Sequence, residues 1–377
     1  MTLENDLLHN INCSQRWTWS NFHNVKRNAA TFGLDPASAS KWKSPGEPAL
    51  VYGLVDDSAL RNITRTVQGH LSTGHGQPTA IVASIFIHQK PKVRFNGGSE
   101  AEIGDLLLVR QHFQTGNANS QGKAFLLQAK MAARPKTGIL KGNELVQFSL
   151  YNGWTLPFSF PYKEVKGRRS WDFGSGAPSQ LDETGVYAIG YKHEHLTNKR
   201  FVFPDNCAWA VGKVPHPSTT PQIDASSQSL ASVFAEFVHG RYGRPWSATA
   251  GKSDHWSDFI TQMLAVSSSW SAPLQRIGKT SIARRRPDIL MLQQIMPALA
   301  MASHSEEIHR LRFDEHTPEK HALYLRRKFE ELQNWAAGSG SAPPEFSPPQ
   351  KIGYRSGHRG MSILYVGKFG DRPLGQG

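Results

Sequence analysis

Only two of the 377 residues are cysteine, Cys13 and Cys207. That is too few for a disulfide scaffold or a four-cysteine zinc site, and a reducing compartment is expected. Long apolar runs are also missing: the longest clean stretch, near residues 80–87, falls far short of the ~20 residues that span a bilayer. The first six residues carry Glu4 and Asp6 where a secretory leader carries a basic region followed by an apolar one. Secretion and membrane insertion are therefore disfavoured, and a cytoplasmic protein is the expectation. Acids are scarce relative to bases, 30 Asp+Glu against 43 Lys+Arg, which leaves a formal net charge of +13. A balance this positive favours a polyanionic partner, nucleic acid ahead of an anionic membrane surface. No repeat of solenoid period and no Gly-x-Ser-x-Gly elbow occurs. Gly251-Lys252-Ser253 and Gly278-Lys279-Thr280 lack the earlier glycine of a phosphate loop, because Trp246 and Pro273 stand there.

What is present suffices for a folded core: 38% of residues are hydrophobic, with 10 Trp, 19 Phe and 9 Tyr. The pattern divides the chain into an N-terminal arm (1–55), an α/β domain (56–213), a mainly helical region (214–336) and a Pro/Gly/Ser-rich linker with a terminal strand (337–377). Helices are expected at 58–70 and 79–90, then strands at 92–95, 103–111 and 124–131, with further strands at 145–150, 186–191 and 208–213. Helical patterns follow at 230–239, 255–266, 287–302 and 318–336, and a last strand at 361–366.

Glu100, Glu102 and Asp105 lie just before or within an apolar strand, where a buried acid is costly without a cation or basic partner. Downstream, Gln128 and Lys130 project from one face of a second apolar strand, since side chains alternate with period two. A hairpin turning about Asn117 and Ala118 makes Asp105 and Lys130 cross-strand neighbours, with Cβ atoms ~5 Å apart. Carboxylates, an amide and a lysine on one sheet face suit metal-assisted phosphodiester hydrolysis: Mg²⁺ takes hard oxygen ligands, and a nearby ammonium stabilises developing negative charge. The other reading of the same pair is a structural salt bridge across the hairpin.

Asp105 followed by Gln128-Ala129-Lys130 on a second strand resembles the PD-(D/E)xK, or restriction-endonuclease-like, nuclease superfamily. It is similar in particular to the Gln-x-Lys variant of methylation-dependent restriction endonucleases, and Glu102-Ile103-Gly104-Asp105 resembles defence-associated members. The resemblance implies a mixed sheet flanked by helices and a Mg²⁺- or Mn²⁺-dependent endonuclease acting in restriction or anti-phage defence, on DNA ahead of RNA. It implies Asp105 as principal metal ligand and Lys130 as catalytic lysine. Gln128 would stand in the middle acid's place, the Ala129 carbonyl would be an additional ligand and Glu102 the second acid. The helix expected at 79–90 offers no acid where many members supply another ligand. A homodimer, and a protein partner or activator at the C-terminal region, are expected by analogy; the alternative is a catalytically silent nuclease fold serving as a binding or scaffold subunit.

Lys163, Lys166, Arg168 and Arg169 beside Trp171 form a candidate nucleic-acid grip, the cations for phosphates and the indole for a base. Arg276, Lys279 and Arg284–Arg286 make a second basic cluster. His193-Glu194-His195 has no third or fourth zinc ligand at a recognisable spacing, and Cys207 among Phe203, Ala208 and Trp209 reads as a core residue.

Overall fold

The architecture was analysed in a computed structural model. It describes residues 2–29, 36–41, 43–55, 57–71, 79–85, 92–95, 98–113, 121–134, 138–140, 142–152, 154, 156–160, 170–174, 183–194, 203–213, 221–247, 250, 253–269, 301–302 and 363–369. Four helices open the chain: α1 (Leu3–Arg27), α2 (Pro36–Ser40), α3 (Glu47–Val55) and α4 (Asp57–Leu71). The strands β1 (Thr79–Ile85), β2 (Lys92–Phe95), β3 (Ser99–Glu102), β4 (Leu106–Phe113), β5 (Gln121–Ala132) and β6 (Gly138–Ile139) follow. After α5 (Asn143–Tyr151) come β7 (Phe158–Ser159), β8 (Gly185–Tyr191), β9 (Trp209–Lys213) and β10 (Gln222–Ser229). The chain continues with α6 (Leu230–His239), β11 (Arg244–Ser247), α7 (His255–Ser269), β12 (Met301–Ala302) and β13 (Ile363–Phe369).

The main sheet runs β12-β1-β13-β4-β5-β8-β9-β10-β6, and β11 pairs with the first residues of β5, leaving the later ones to β8. The β13/β4 and β5/β8 pairs are parallel and the others antiparallel, so the sheet is mixed. Both faces of its centre are buried, which is why β4 and β5 read as near-continuous apolar runs. Leu107, Val109, Leu126, Tyr187 and Ile189 belong to one core, covered by α5, α7 and the small β3-β2-β7 sheet. Leu106, Leu108, Phe125, Leu127 and Ala129 belong to the other, against α1, α3, α4 and α6. The protein is thus α/β, a mixed sheet flanked by helices.

Several sequence expectations hold closely, among them the helices at 58–70 and 230–239 and the strands at 92–95 and 186–191. Others are corrected. Residues 79–85 are strand β1 rather than helix, because an apolar run without 3.6-residue periodicity does not by itself distinguish the two. Residues 145–150 lie in helix α5, whose first turn carries Glu144, rather than in a strand.

The N-terminal arm holds α2, α3 and the 25-residue helix α1, which is capped by the Thr2 hydroxyl and carries Glu4 and Asp6 in its first turn and Lys26 and Arg27 in its last. Helix α1 packs on α3, α4 and α6, and β13 inserts between β1 and β4, so elements from outside 56–213 complete the sheet and its cover. The helix expected at 318–336 lies outside the described residues, as do residues 287–300; Met301 and Ala302 form a strand against β1. Among the described residues no helix is long and apolar enough to cross a membrane.

Candidate active site

The β4–β5 hairpin carries the site at the start of β4. Leu106 pairs with Leu127, and the Asp105 N–H donates to the Leu127 carbonyl at 2.9 Å. This register differs by two residues from the expected one, so Asp105 stands level with Gln128 instead of Lys130. A one-residue slip would have turned the side chains to the opposite face, whereas a two-residue slip preserves it. The groups therefore still converge.

Asp105 is held through one oxygen. Its Oδ2 accepts the backbone N–H of Ala129 at 2.8 Å and a short hydrogen bond from Gln128 Nε2. The Gln128 oxygen accepts from Gln147 Nε2 on α5, and Gln147 also donates to the Glu102 carbonyl at 2.8 Å. A relay of amides thus ties α5 to the Asp105 carboxylate. In this arrangement the Gln128 side-chain oxygen faces Gln147 and its N–H group faces the acid. Below this relay the Tyr151 hydroxyl donates to the Ile103 carbonyl at 2.7 Å, fixing the turn into β4.

Lys130 forms its ion pair with Glu144 of α5 at 3.4 Å. Glu47, the first residue of α3, reaches the end of β5, where its Oε1 accepts the Met131 N–H at 3.2 Å. Glu102, at the end of β3, is half-buried and acts electrostatically on both Asp105 and Glu47. Glu100 is turned away into an exposed pair with Arg94 at 2.6 Å.

Electrostatics register the crowding of acids. Burial pushes the Asp105 carboxyl up to about 7, the charges of Glu102 and Glu47 push in the same direction, and Lys130 and the Ala129 N–H oppose them. Glu47 is also raised, chiefly by burial, with Lys130 and the Met131 N–H opposing and Glu144 and Glu102 adding to the rise. Three carboxylates, Glu47, Asp105 and Glu144, thus share the ammonium of Lys130, and Glu102 adds its negative charge beside two of them. Among the described residues no three His, Cys, Asp or Glu side chains come close enough to hold a metal by themselves. Mg²⁺ typically takes one or two carboxylates and completes its shell with waters and substrate phosphate.

Sequence reading did not find Glu47, Glu144 or Gln147. Glu47 opens a helix from Gly46-Glu47-Pro48, and proline in a first turn was the available signal. Glu144 and Gln147 are three apart, which places them on one face once the segment is helical.

The expected nucleic-acid grip is only partly described. Lys163, Lys166, Arg168 and Arg169 lie outside the described residues. Trp171 is 1% exposed, packs on Phe158, Phe160 and Phe259, and donates its indole N–H to Asp258 at 3.0 Å. It is a core residue and has no free face on which to stack a base. Glu194 pairs with His23 at 3.0 Å, and Cys207 is fully buried as expected. No protein-family model, curated protein or solved structure matches this chain.

Proposed function

We propose that the protein is a divalent-metal-dependent phosphodiester hydrolase of the PD-(D/E)xK, restriction-endonuclease-like type, acting on nucleic acid and preferentially on DNA, in restriction or anti-phage defence. The observation that carries this reading is the half-buried Asp105 carboxylate, hydrogen-bonded through Oδ2 alone among the described residues, crowded by Glu47 and Glu102 and relieved by Lys130. Such a surplus of negative charge is costly in a structural site and suits a cation site. The antiparallel β4–β5 hairpin, followed through α5 by β8 parallel to β5, agrees with the mixed sheet that such nucleases share.

Asp105 and Glu102, with the Ala129 carbonyl, would hold the ion. Bound there, a Mg²⁺ or Mn²⁺ ion would polarise the scissile phosphate and acidify a coordinated water. The chain's own groups do the rest. The Ala129 N–H and the Gln147–Gln128 relay fix Oδ2 of Asp105, and no hydrogen bond occupies its Oδ1 among the described residues. The Lys130 ammonium, tethered by Glu144, donates hydrogen bonds to the attacking water or to the phosphoryl oxygens as charge develops on them. The net charge of +13 draws the polyanion to the surface.

Plasmid DNA incubated with the full chain and Mg²⁺ or Mn²⁺ tests the proposal. Cleavage is expected with wild type, and its loss with EDTA, Asp105→Asn and Lys130→Met. Binding without cleavage under every metal condition would overturn the hydrolase and leave a silent binding or scaffold module.

A further inference from the structure

A second cationic site lies at the other end of the same hairpin. Arg110 and Lys123 are directly opposite each other in the β4–β5 register, so both side chains leave the same sheet face with Cβ atoms ~5 Å apart. Like charges in that position destabilise a sheet unless something neutralises them. They border a cavity of about 490 Å³, together with His112, His239, Gly240 and Trp246. Arg110 lies five residues along β4 from Asp105, roughly 17 Å at strand rise, so one scissile phosphate cannot occupy both places.

Arg110 is only 7% exposed, and no carboxylate contributes to its electrostatics; burial alone pulls it down to about 10, so it stays charged at neutral pH. Its Nε donates to the Val238 carbonyl at the end of α6 at 2.9 Å. The guanidinium packs closely against Gly240, where a Cβ would stand 3.0 Å from Cζ and Nη1. Gly240 takes a left-handed conformation at φ +80°, which makes glycine doubly suited there. No hydrogen bond occupies Nη1 or Nη2 of Arg110 among the described residues, and these two groups form the fork that recognises phosphate.

The other charges on the cavity do not neutralise it. Glu183, which is not among the residues lining the cavity, forms an ion pair with Lys123 at 3.9 Å and does not act on Arg110. Asp254 lines the cavity, but its oxygens accept from the Trp256 N–H, the Ser257 N–H and the Ser257 hydroxyl, capping α7. An uncompensated guanidinium and an opposed ammonium, in a space of ordinary small-ligand size, form a built anion site.

We propose that this cavity binds a phosphate group, as a free nucleotide or as a backbone phosphate of nucleic acid, through the Arg110 fork and Lys123. The proposal is independent of the hydrolase reading. The full chain in EDTA and low salt is titrated calorimetrically with inorganic phosphate, adenosine 5′-monophosphate, adenosine and a short DNA duplex. Binding of the monophosphate and not of adenosine identifies a nucleotide, whereas binding confined to the duplex identifies a backbone phosphate. In either case Arg110→Gln and Lys123→Gln weaken binding about tenfold or more. Lys123→Gln, which removes no contact to α6, carries the test if Arg110→Gln fails to fold. Absence of binding by every phosphate-bearing probe, or binding indifferent to Lys123→Gln, would overturn the proposal.

Discussion

Lys130 pairs with Glu144 at 3.4 Å across the strand-to-helix connection, not with Asp105 across the hairpin. One ammonium therefore acts on three acids at once, since Lys130 also lowers both Asp105 and Glu47. Replacing it should raise the Asp105 carboxyl further as well as remove a hydrogen-bond donor to the reacting phosphate. Lys130→Met is expected to reduce cleavage at least about 100-fold, on the scale of a lost preorganised donor, while DNA affinity stays within a few-fold. Single-turnover cleavage and fluorescence anisotropy separate the two, and an upward shift of Asp105 in a carbon-detected NMR titration checks the electrostatic cause.

Asp105 sets a pH dependence of stability. Its carboxyl is near 3.8 in a model peptide and about 7 when folded, so between those values the folded protein binds the extra proton. The stabilisation is full below about pH 4 and is lost as pH rises through 7, at up to about 1.4 kcal/mol per pH unit for one proton. Glu47 is shifted in the same direction and adds to the slope. Thermal melts of metal-free protein should show a midpoint that falls from pH 5 to 8, more weakly in Asp105→Asn. Mg²⁺ should raise the midpoint at pH 8 far more than at pH 5, because only the ionised carboxylate is a ligand. An equal Mg²⁺ effect in Asp105→Asn would remove Asp105 from the ion's shell.

The hairpin was legible because β4 and β5 are apolar runs separated by a turn-rich stretch, and because period-two alternation puts Gln128 and Lys130 on one face whatever the register. Registry itself was not legible: the centre of the connection between Phe113 and Gln121 decides it, and no local motif marks that centre. Glu47 was illegible for a different reason. It precedes Asp105 by 58 residues, within a Pro/Ser/Lys-rich stretch that reads as an irregular arm, and only tertiary packing brings α3 to the end of β5. Trp171 misled because an indole beside basic residues looks like a stacking platform, whereas three phenylalanine neighbours from distant positions bury it.

That burial yields its own prediction. Trp171→Ala removes a fully enclosed ring and leaves the Asp258 carboxylate without its indole donor. The expected cost is about 3–5 kcal/mol, the usual range for an aromatic cavity. Trp171→Phe, which keeps most of the volume, should cost about 1 kcal/mol for the one lost hydrogen bond, because Gln262 Nε2 still donates to the same Asp258 oxygen at 3.0 Å. Denaturant melts give both numbers. DNA affinity of the folded fraction should stay at the wild-type value, and a specific loss of affinity in Trp171→Phe would return the indole to the binding surface.

Gln128 bridges the Asp105 carboxylate and the Gln147 amide. The Nε2 group donates to Asp105 Oδ2 while the oxygen accepts from Gln147, so both ends of the side chain are satisfied. In Gln128→Glu the end facing Asp105 becomes an acceptor opposed to an acceptor, and one hydrogen bond turns into a like-charge contact. Metal-free Gln128→Glu should be destabilised by about 1–3 kcal/mol at pH 8 and much less at pH 5, where a shared proton restores the bond. A bound cation would relieve the same repulsion, so the Mg²⁺-induced rise in melting temperature should be larger than in wild type. Identical Mg²⁺ shifts in the two proteins would place the ion away from residue 128 and confine its ligands to Asp105, Glu102 and the Ala129 carbonyl.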